Sequence, residues 1–199
     1  MEGGRLAPRY VWKQMEYISK NYTVSLINES DYSLNSVDNI RSYSIEYLFD
    51  DHQHNTSKHG LSVRDELGNN HDCILIAGGG ASGVHENSLV VVDDRCFVAV
   101  GDHIVALSLP NLDKLWAKKL DEATCFGVYY MKNIDCLIIH GELEISRVSI
   151  DGIIYWSSSG KDIFTEGIEL FEDHVEAVDF NMEKYSINIE SGKSEIITT

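Results

Sequence analysis

The feature that most constrains this chain is an internal repeat. Cys96-Phe97-Val98-Ala99-Val100-Gly101 aligns with Cys136-Leu137-Ile138-Ile139-His140-Gly141 at a shift of 40 residues. The same shift sets Trp116 on Trp156, Ile145 on Tyr185, and Asp151-Gly152 on Ser191-Gly192. Three copies cover roughly residues 96–199. A module of this length, used in tandem, buries its apolar faces against its neighbours rather than within itself.

The modules read as strands. From residue 73 onward, short apolar runs alternate with turn residues: 73–77, 88–92, 96–100, 104–109, 115–120, 126–130, 136–140, 143–150, 153–157, 168–171, 175–180, 184–189 and 194–198. No window of helical length there has a 3.6-residue apolar period, so the pattern predicts an all-β sandwich, barrel or propeller.

Residues 1–60 read as a separate N-terminal segment, and 61–199 as the β-repeat domain. In the first, residues 10–18 are expected to form a short helix, with Val11, Met15 and Ile18 on one face. Residues 22–27 and 43–49 are expected as strands, and the polar stretches 28–38 and 50–60 as loops.

Where the repeat has a Gly at the turn it permits positive φ between two strands, and where it has a Trp the ring fills the layer between neighbouring units. The stretch Ala106-Leu107-Ser108-Leu109-Pro110-Asn111-Leu112-Asp113-Lys114-Leu115-Trp116 resembles the blade signature of the quinoprotein-type (PQQ-like) β-propeller repeat. That signature runs Ala-Leu-Asp, two free residues, Thr-Gly, three residues, Trp. The second copy keeps Gly152 and Trp156; the third keeps Ile187, Ser191 and Gly192. Asn111-Leu112 replaces Thr-Gly in the first, and Ile196 replaces Trp in the third. The resemblance covers about half the chain and implies a fold. No residue matches the family's cofactor or metal site, so quinone chemistry does not carry over.

The expected architecture is therefore three blade-like antiparallel repeats with an N-terminal α+β cap, in a small or incomplete propeller. A seven- or eight-bladed ring of such units needs more than the 199 residues present. A four-bladed ring, a capped stack and closure between two chains are the options.

Charge narrows the partners. The formal net charge is −16, with 16 basic and 32 acidic residues. Residues 1–60 contribute −2 and residues 61–199 contribute −14. Such a body repels nucleic acid and anionic lipid and favours a basic protein or a cation. Met1-Glu2-Gly3-Gly4-Arg5 lacks the basic and apolar blocks of a signal peptide. The four cysteines have no Cys-x-x-Cys spacing and read as buried free thiols. A cytoplasmic protein without a cofactor is expected.

Three segments carry candidate chemistry. Gly78-Gly79-Gly80-Ala81-Ser82-Gly83 fits G-x-G-x-x-G, but a dinucleotide site needs a helix directly after the glycines. The following residues are too few for one before the next strand. The loop, with Gly79, Gly80, Ser82, His85 and Glu86, is instead expected to be a functional edge. His52 and His54 have a His-x-His spacing that would face one ion from a strand, and stand against the reading of a solvated loop. His140, Glu142 and Glu144 sit at a strand-turn-strand junction, with Asp162, Glu166, Glu169, Glu172 and Asp173 extending the acidic region. That region is either a footprint for a basic partner or a solvated edge.

No G-x-S-x-G elbow, P-loop, H-E-x-x-H or EF-hand occurs. The expected function is a non-catalytic domain that binds a protein through loops and an acidic face. An inhibitor or immunity-type protein acting on a basic enzyme is its specific form. The alternative is a small-ligand or metal binder, or a hydrolase, using the His and Glu residues of the glycine-rich loop or of the His140 junction.

Overall fold

The computed structural model describes residues 14–19, 21–49 and 55–197, and among these every regular element is a strand. Sheet one has the order β1-β2-β4-β5-β3, made of β1 (Gln14–Ile18), β2 (Tyr22–Asn28), β3 (Ile45–Leu48), β4 (Ser57–Asp65) and β5 (Asn70–Ala77). Its last strand, β3, runs parallel to β5. Three four-stranded antiparallel meanders follow. Sheet two is β6 (Leu89–Val92), β7 (Arg95–Val100), β8 (His103–Ser108) and β9 (Lys114–Lys119). Sheet three is β10 (Cys125–Met131), β11 (Cys136–Gly141), β12 (Glu144–Ser149) and β13 (Ile154–Ser159). Sheet four is β14 (Gly167–Leu170), β15 (His174–Val178), β16 (Lys184–Asn188) and β17 (Ser194–Ile197).

The sheets stack face to face. One apolar core joins sheets one and two, through Leu61, Leu75, Val98 and Leu107 among others. A second joins sheets two and three (Phe97, Ile104, Leu137, Val148), and a third joins three and four (Ile138, Ile145, Val175, Tyr185). No core cluster of described residues joins sheet four to sheet one, so the sheets are not closed into a ring. Cys73, Cys96, Cys125 and Cys136 are free and buried, and burial pushes the thiols of Cys73, Cys96 and Cys125 upward.

The repeat has a physical seat. Trp116 Nε1 donates to the Ile150 carbonyl at 3.0 Å, and Trp156 Nε1 donates to the Ile189 carbonyl at 2.9 Å. Each indole thus reaches the β-turn of the next sheet. Gly152 and Gly192 sit under these rings at φ +84° and +68°, where a Cβ would come within 3.0 Å and 2.6 Å of the indole. Glycine is required there twice over, by the left-handed backbone and by the close approach. Ser108 and Asn188 occupy the Asp position of the signature, and Ser149 lies one residue past it. Each accepts a turn N–H, from Asp113, Ile153 and Ser191 respectively.

Two details of this joint are invisible in the repeat itself. In sheet two the turn glycine is replaced by Leu112, held at φ +63° with its side chain fully buried. Tyr47, on β3 of sheet one, donates its hydroxyl to the Leu112 carbonyl at 3.0 Å, doing at the first junction what the tryptophans do at the next two.

The face that each sheet presents to its successor can be read across the ladder. In sheet two the row is Val90, Phe97, Ala106, Trp116. In sheet three it is Tyr129, Ile138, Arg147, Trp156. In sheet four it is Glu169, Glu176, Ser186, Glu195. The register shift beside Trp116 and Trp156 is absent from β16–β17. Glu176 is paired with Lys184, and Glu195 with Lys193 at 2.9 Å. This row is polar and largely neutralised, and it offers a further blade no apolar surface. The other end is covered by the chain itself: Tyr32, Leu34 and Tyr43, from the segment between β2 and β3, pack on Ile74 and Ile76.

Two expectations for the N-terminal segment are corrected. Residues 14–18, expected in a helix, form strand β1 on β2; residues 10–13 of that expectation lie outside the described residues. Met15 and Tyr17 both pack on the first core, which is a period of two rather than 3.6. A single short helix cannot compete with a ladder offered by an adjacent strand. Residues 57–60, expected in a loop, begin β4. Ser57 and His59 misled because these polar side chains are buried and hydrogen-bonded: Ser57 Oγ accepts from Ser82 N, and the ring nitrogens of His59 lie 3.1 Å from Ala99 O and 3.2 Å from Ser82 O.

His59 gives the fold an acid dependence. Burial outweighs the two carbonyls and lowers its pKa from 6.5 to about 4. Between these values the unfolded chain takes up a proton that the folded chain refuses. Stability is therefore complete above pH 6.5 and falls as pH drops toward about 4. The burial-lowered His140 acts in the same direction. The melting temperature is expected to fall through this window. A His59→Gln variant should start lower and show a shallower slope; an unchanged slope would contradict the assignment.

Candidate functional site

In a meander of four strands, the second turn and the connection to the next sheet fall on one edge. Here that edge carries residues 78–88, 101–102, 120–124, 141–143, 160–166 and 179–183. Backbone hydrogen bonds sew it together from sheet to sheet: Gly80 N to Ala123 O at 2.8 Å, Glu142 N to Thr124 O at 2.8 Å, Phe164 N to Glu142 O at 2.7 Å and Phe180 N to Ile163 O at 2.8 Å.

Asp121 is the main knot. Its Oδ1 accepts from the N–H groups of Ala123 and Thr124, and its Oδ2 from those of Leu143 and Glu144, all within 3.1 Å. Asp179 does related work in sheet four, accepting from Asn181 N, Glu183 N and the Tyr185 hydroxyl. Sequence reasoning passed over both, since an acidic residue beside a turn looks like any solvated one.

The glycine-rich loop lies directly on this edge. Gly79 has φ +76°, and a Cβ on it would stand 2.3 Å from the Ala123 carbonyl; one on Gly80 would stand 2.0 Å from Thr124 Oγ1. The close approach that the glycines permit is to the neighbouring connection. No helix follows them: residues 84–88 lead straight into β6. Ser82 Oγ accepts from Gly101 N at 2.8 Å.

His85 and Glu86 are exposed. His85 Nε2 lies 2.7 Å from Phe126 O, and its Nδ1 accepts from Asn87 N, so a neutral ring has both nitrogens satisfied. His140 is buried, with Nε2 3.0 Å from Phe164 O and its ring edge-on to Phe126. The glycine loop and the His140–Glu144 junction therefore meet on residues 123–126, through packing and hydrogen bonds that occupy both imidazoles.

Beside this junction, at the edge of sheet three and its flanking connections, a cleft of about 570 Å³ is lined by Glu122, Leu143, Glu144, Lys161, Asp162 and Ile163 among others. Glu144 and Asp162, both singled out in the sequence, line it; Glu142 is half-buried in the same turn. The acidic run read as one region is divided by the fold. Asp162 and Glu166 lie on the cleft edge, Glu169 on the outer face of sheet four, and Glu172 and Asp173 in the β14–β15 turn at the opposite edge. His52 and His54 lie outside the described residues. Among the described residues no group of three His, Cys, Asp or Glu side chains is placed to hold a metal ion, and no helix is long and apolar enough to cross a membrane.

No family model matches the chain, and no curated protein matches it. Solved structures do. BamB from Moraxella catarrhalis, a PQQ-like β-propeller, aligns with a TM-score of 0.53 and 10% identity over 90% of this chain and 46% of its own. The AfRom2 CNH domain aligns with a TM-score of 0.53 and 10% identity over 94% of this chain and 54% of its own. At such identity the likeness shows the fold alone. The chain has a β-propeller-type fold and spans about half the length of the structures it matches.

Proposed function

We propose that this chain is a non-catalytic β-repeat module, of the quinoprotein-type repeat, that binds a protein partner through the sewn turn edge and its acidic field. An inhibitor or immunity-type protein that neutralises a basic enzyme is the specific form of this reading. The observation that carries it is the charge of that edge. Glu122, Glu142, Asp162, Glu166 and Glu183 lie on the segments 120–124, 141–143, 160–166 and 179–183, where Lys161 is the only basic residue, and Glu144 opens the adjoining strand β12. Lys161 is itself paired with Glu183 at 3.1 Å. A rigid stack with a one-signed edge steers a cationic partner and repels nucleic acid.

The test is association with a cationic protein such as lysozyme, measured at about 50 and about 300 mM salt, between which screening shortens the reach of exposed charges. Affinity is expected to fall at least about tenfold across that range. No association, or association indifferent to salt, would refute the reading.

A further inference from the structure

The turn edge is not uniformly polar. Leu143 is 37% exposed, Phe180 62% and Met182 70%, and all three lie on the second turns of sheets three and four. Ile163 joins them: it lines the same cleft as Leu143, and its carbonyl accepts from Phe180 N. Asn181 Nδ2 donates to Asp162 Oδ2 at 2.7 Å, which fixes the Phe180–Met182 turn against the cleft wall. Met182 is held at φ +65° within that turn. Apolar side chains this exposed, adjacent and on braced backbone mark a contact surface.

We propose that this cleft, with Leu143 and Ile163 inside it and Phe180 and Met182 on its rim, docks a protein segment in which Lys or Arg alternates with a large apolar side chain. The inference rests on the partner-binding reading above and names where and what is bound. Charge complementarity selects the occupant. Glu122, Glu144 and Asp162 edge the apolar surface, and Glu122 is 82% exposed beyond its contact with Lys119. A Lys or Arg side chain lays its aliphatic stem on Leu143 and Ile163 while its head reaches these carboxylates; the alternate apolar residue meets Phe180 and Met182. An acidic or wholly polar segment satisfies only one half of the surface. The outer face of sheet four, where Glu176 and Glu195 are paired with Lys184 and Lys193, carries charge on its ladder row without the exposed apolar residues.

The probe is an amidated Lys-Leu-Lys-Leu-Lys-Leu peptide, with the Glu-Leu peptide of equal length as comparison. Binding is followed by amide chemical shifts of the labelled protein. The Lys-Leu peptide is expected to move signals of residues 143, 163 and 180–183. Glu122→Lys with Glu144→Lys should weaken it at least about tenfold. Phe180→Ser, a change at an exposed site, should weaken it about fivefold. Glu169→Lys with Glu195→Lys on sheet four should leave it within about twofold.

Equal weakening by the sheet-four pair, shifts centred elsewhere, or equal binding of the Glu-Leu peptide would overturn the proposal. If lysozyme binds in a salt-dependent way while the cleft variants leave that binding unchanged, the partner-binding reading stands and this location fails. If lysozyme does not bind, that reading fails whatever the peptide does.

Discussion

Replacing Trp156 with alanine is expected to lower the stability of the chain by about 3–5 kcal/mol, the range for truncating a buried aromatic side chain. The side chain is nearly fully buried between sheets three and four, and its Nε1–H is bound to the Ile189 carbonyl. Truncation opens a cavity over Gly192, which supplies no side chain to fill it, and leaves the Ile189 carbonyl with the Arg147 guanidinium as its remaining side-chain donor. Trp116→Ala should cost less, because that ring is only half-buried. Ile196→Ala should stay within about 1 kcal/mol, since Ile196 occupies the same place in the sequence repeat but, without the register shift, pairs with Tyr185 on the opposite face of its sheet and is 42% exposed. Urea unfolding of the three variants gives the order directly. Because the core clusters of the described residues join each sheet to its neighbours in the stack, Trp156→Ala should also let β14–β17 exchange their amides before the rest. Equal losses at Trp156 and Ile196 would contradict the picture of an interlocked stack.

Asp121→Ala is expected to cost at least about 3 kcal/mol. Four backbone N–H groups from two turns converge on this one carboxylate, and a Cβ on Gly141 would stand 2.3 Å from its Oδ2. Alanine leaves those donors facing a void that is partly closed to water, and charge-assisted bonds of this kind are the strong ones. Asp121→Asn should recover little, because its amide nitrogen would face two of the donors. The same variants should loosen the cleft, which is lined by Leu143 and Glu144. Peptide binding should weaken along with stability here, whereas Glu122→Lys should change binding alone. Calorimetric melting separates the two effects; a melting temperature within about 2 °C of the unchanged chain would contradict the role assigned to Asp121.

These two residues show how legibility in the sequence divides. Trp156 was legible because a large aromatic recurring at a fixed spacing beside a turn glycine has one economical explanation, a repeated joint between sheets. Each of the strand runs from residue 73 onward coincides with a strand of the structure, because short apolar runs between turn residues were their whole signal. Asp121 was not legible, since its meaning lies in the donors of two turns some twenty residues apart. Leu112 hid for a related reason: its left-handed backbone is tolerated only because its side chain fills the first core. Tyr47 stands outside the repeat and reaches the same joint from a parallel strand.

The first strands failed in the opposite sense. Residues 14–18 admit both a helical and an alternating pattern, and the partner strand decides between them. The candidate site was legible only in part. Glu142 and Glu144 were found as charges, but the exposed Phe180 and Met182 that give the cleft its apolar rim were read as part of a strand end and a turn. The acidic run 162–173 looked like one surface because sequence distance was short, while the sheet sends its members to two edges and a face.

The central claim is that each tryptophan of the repeat is locked onto the turn of the following sheet. Hydrogen exchange of the indole N–H groups of Trp116 and Trp156, followed by NMR, tests it most directly. Both should be protected, Trp156 by at least about 100-fold over a free indole and Trp116 by a smaller factor. Exchange of both at the rate of a free indole would contradict the account.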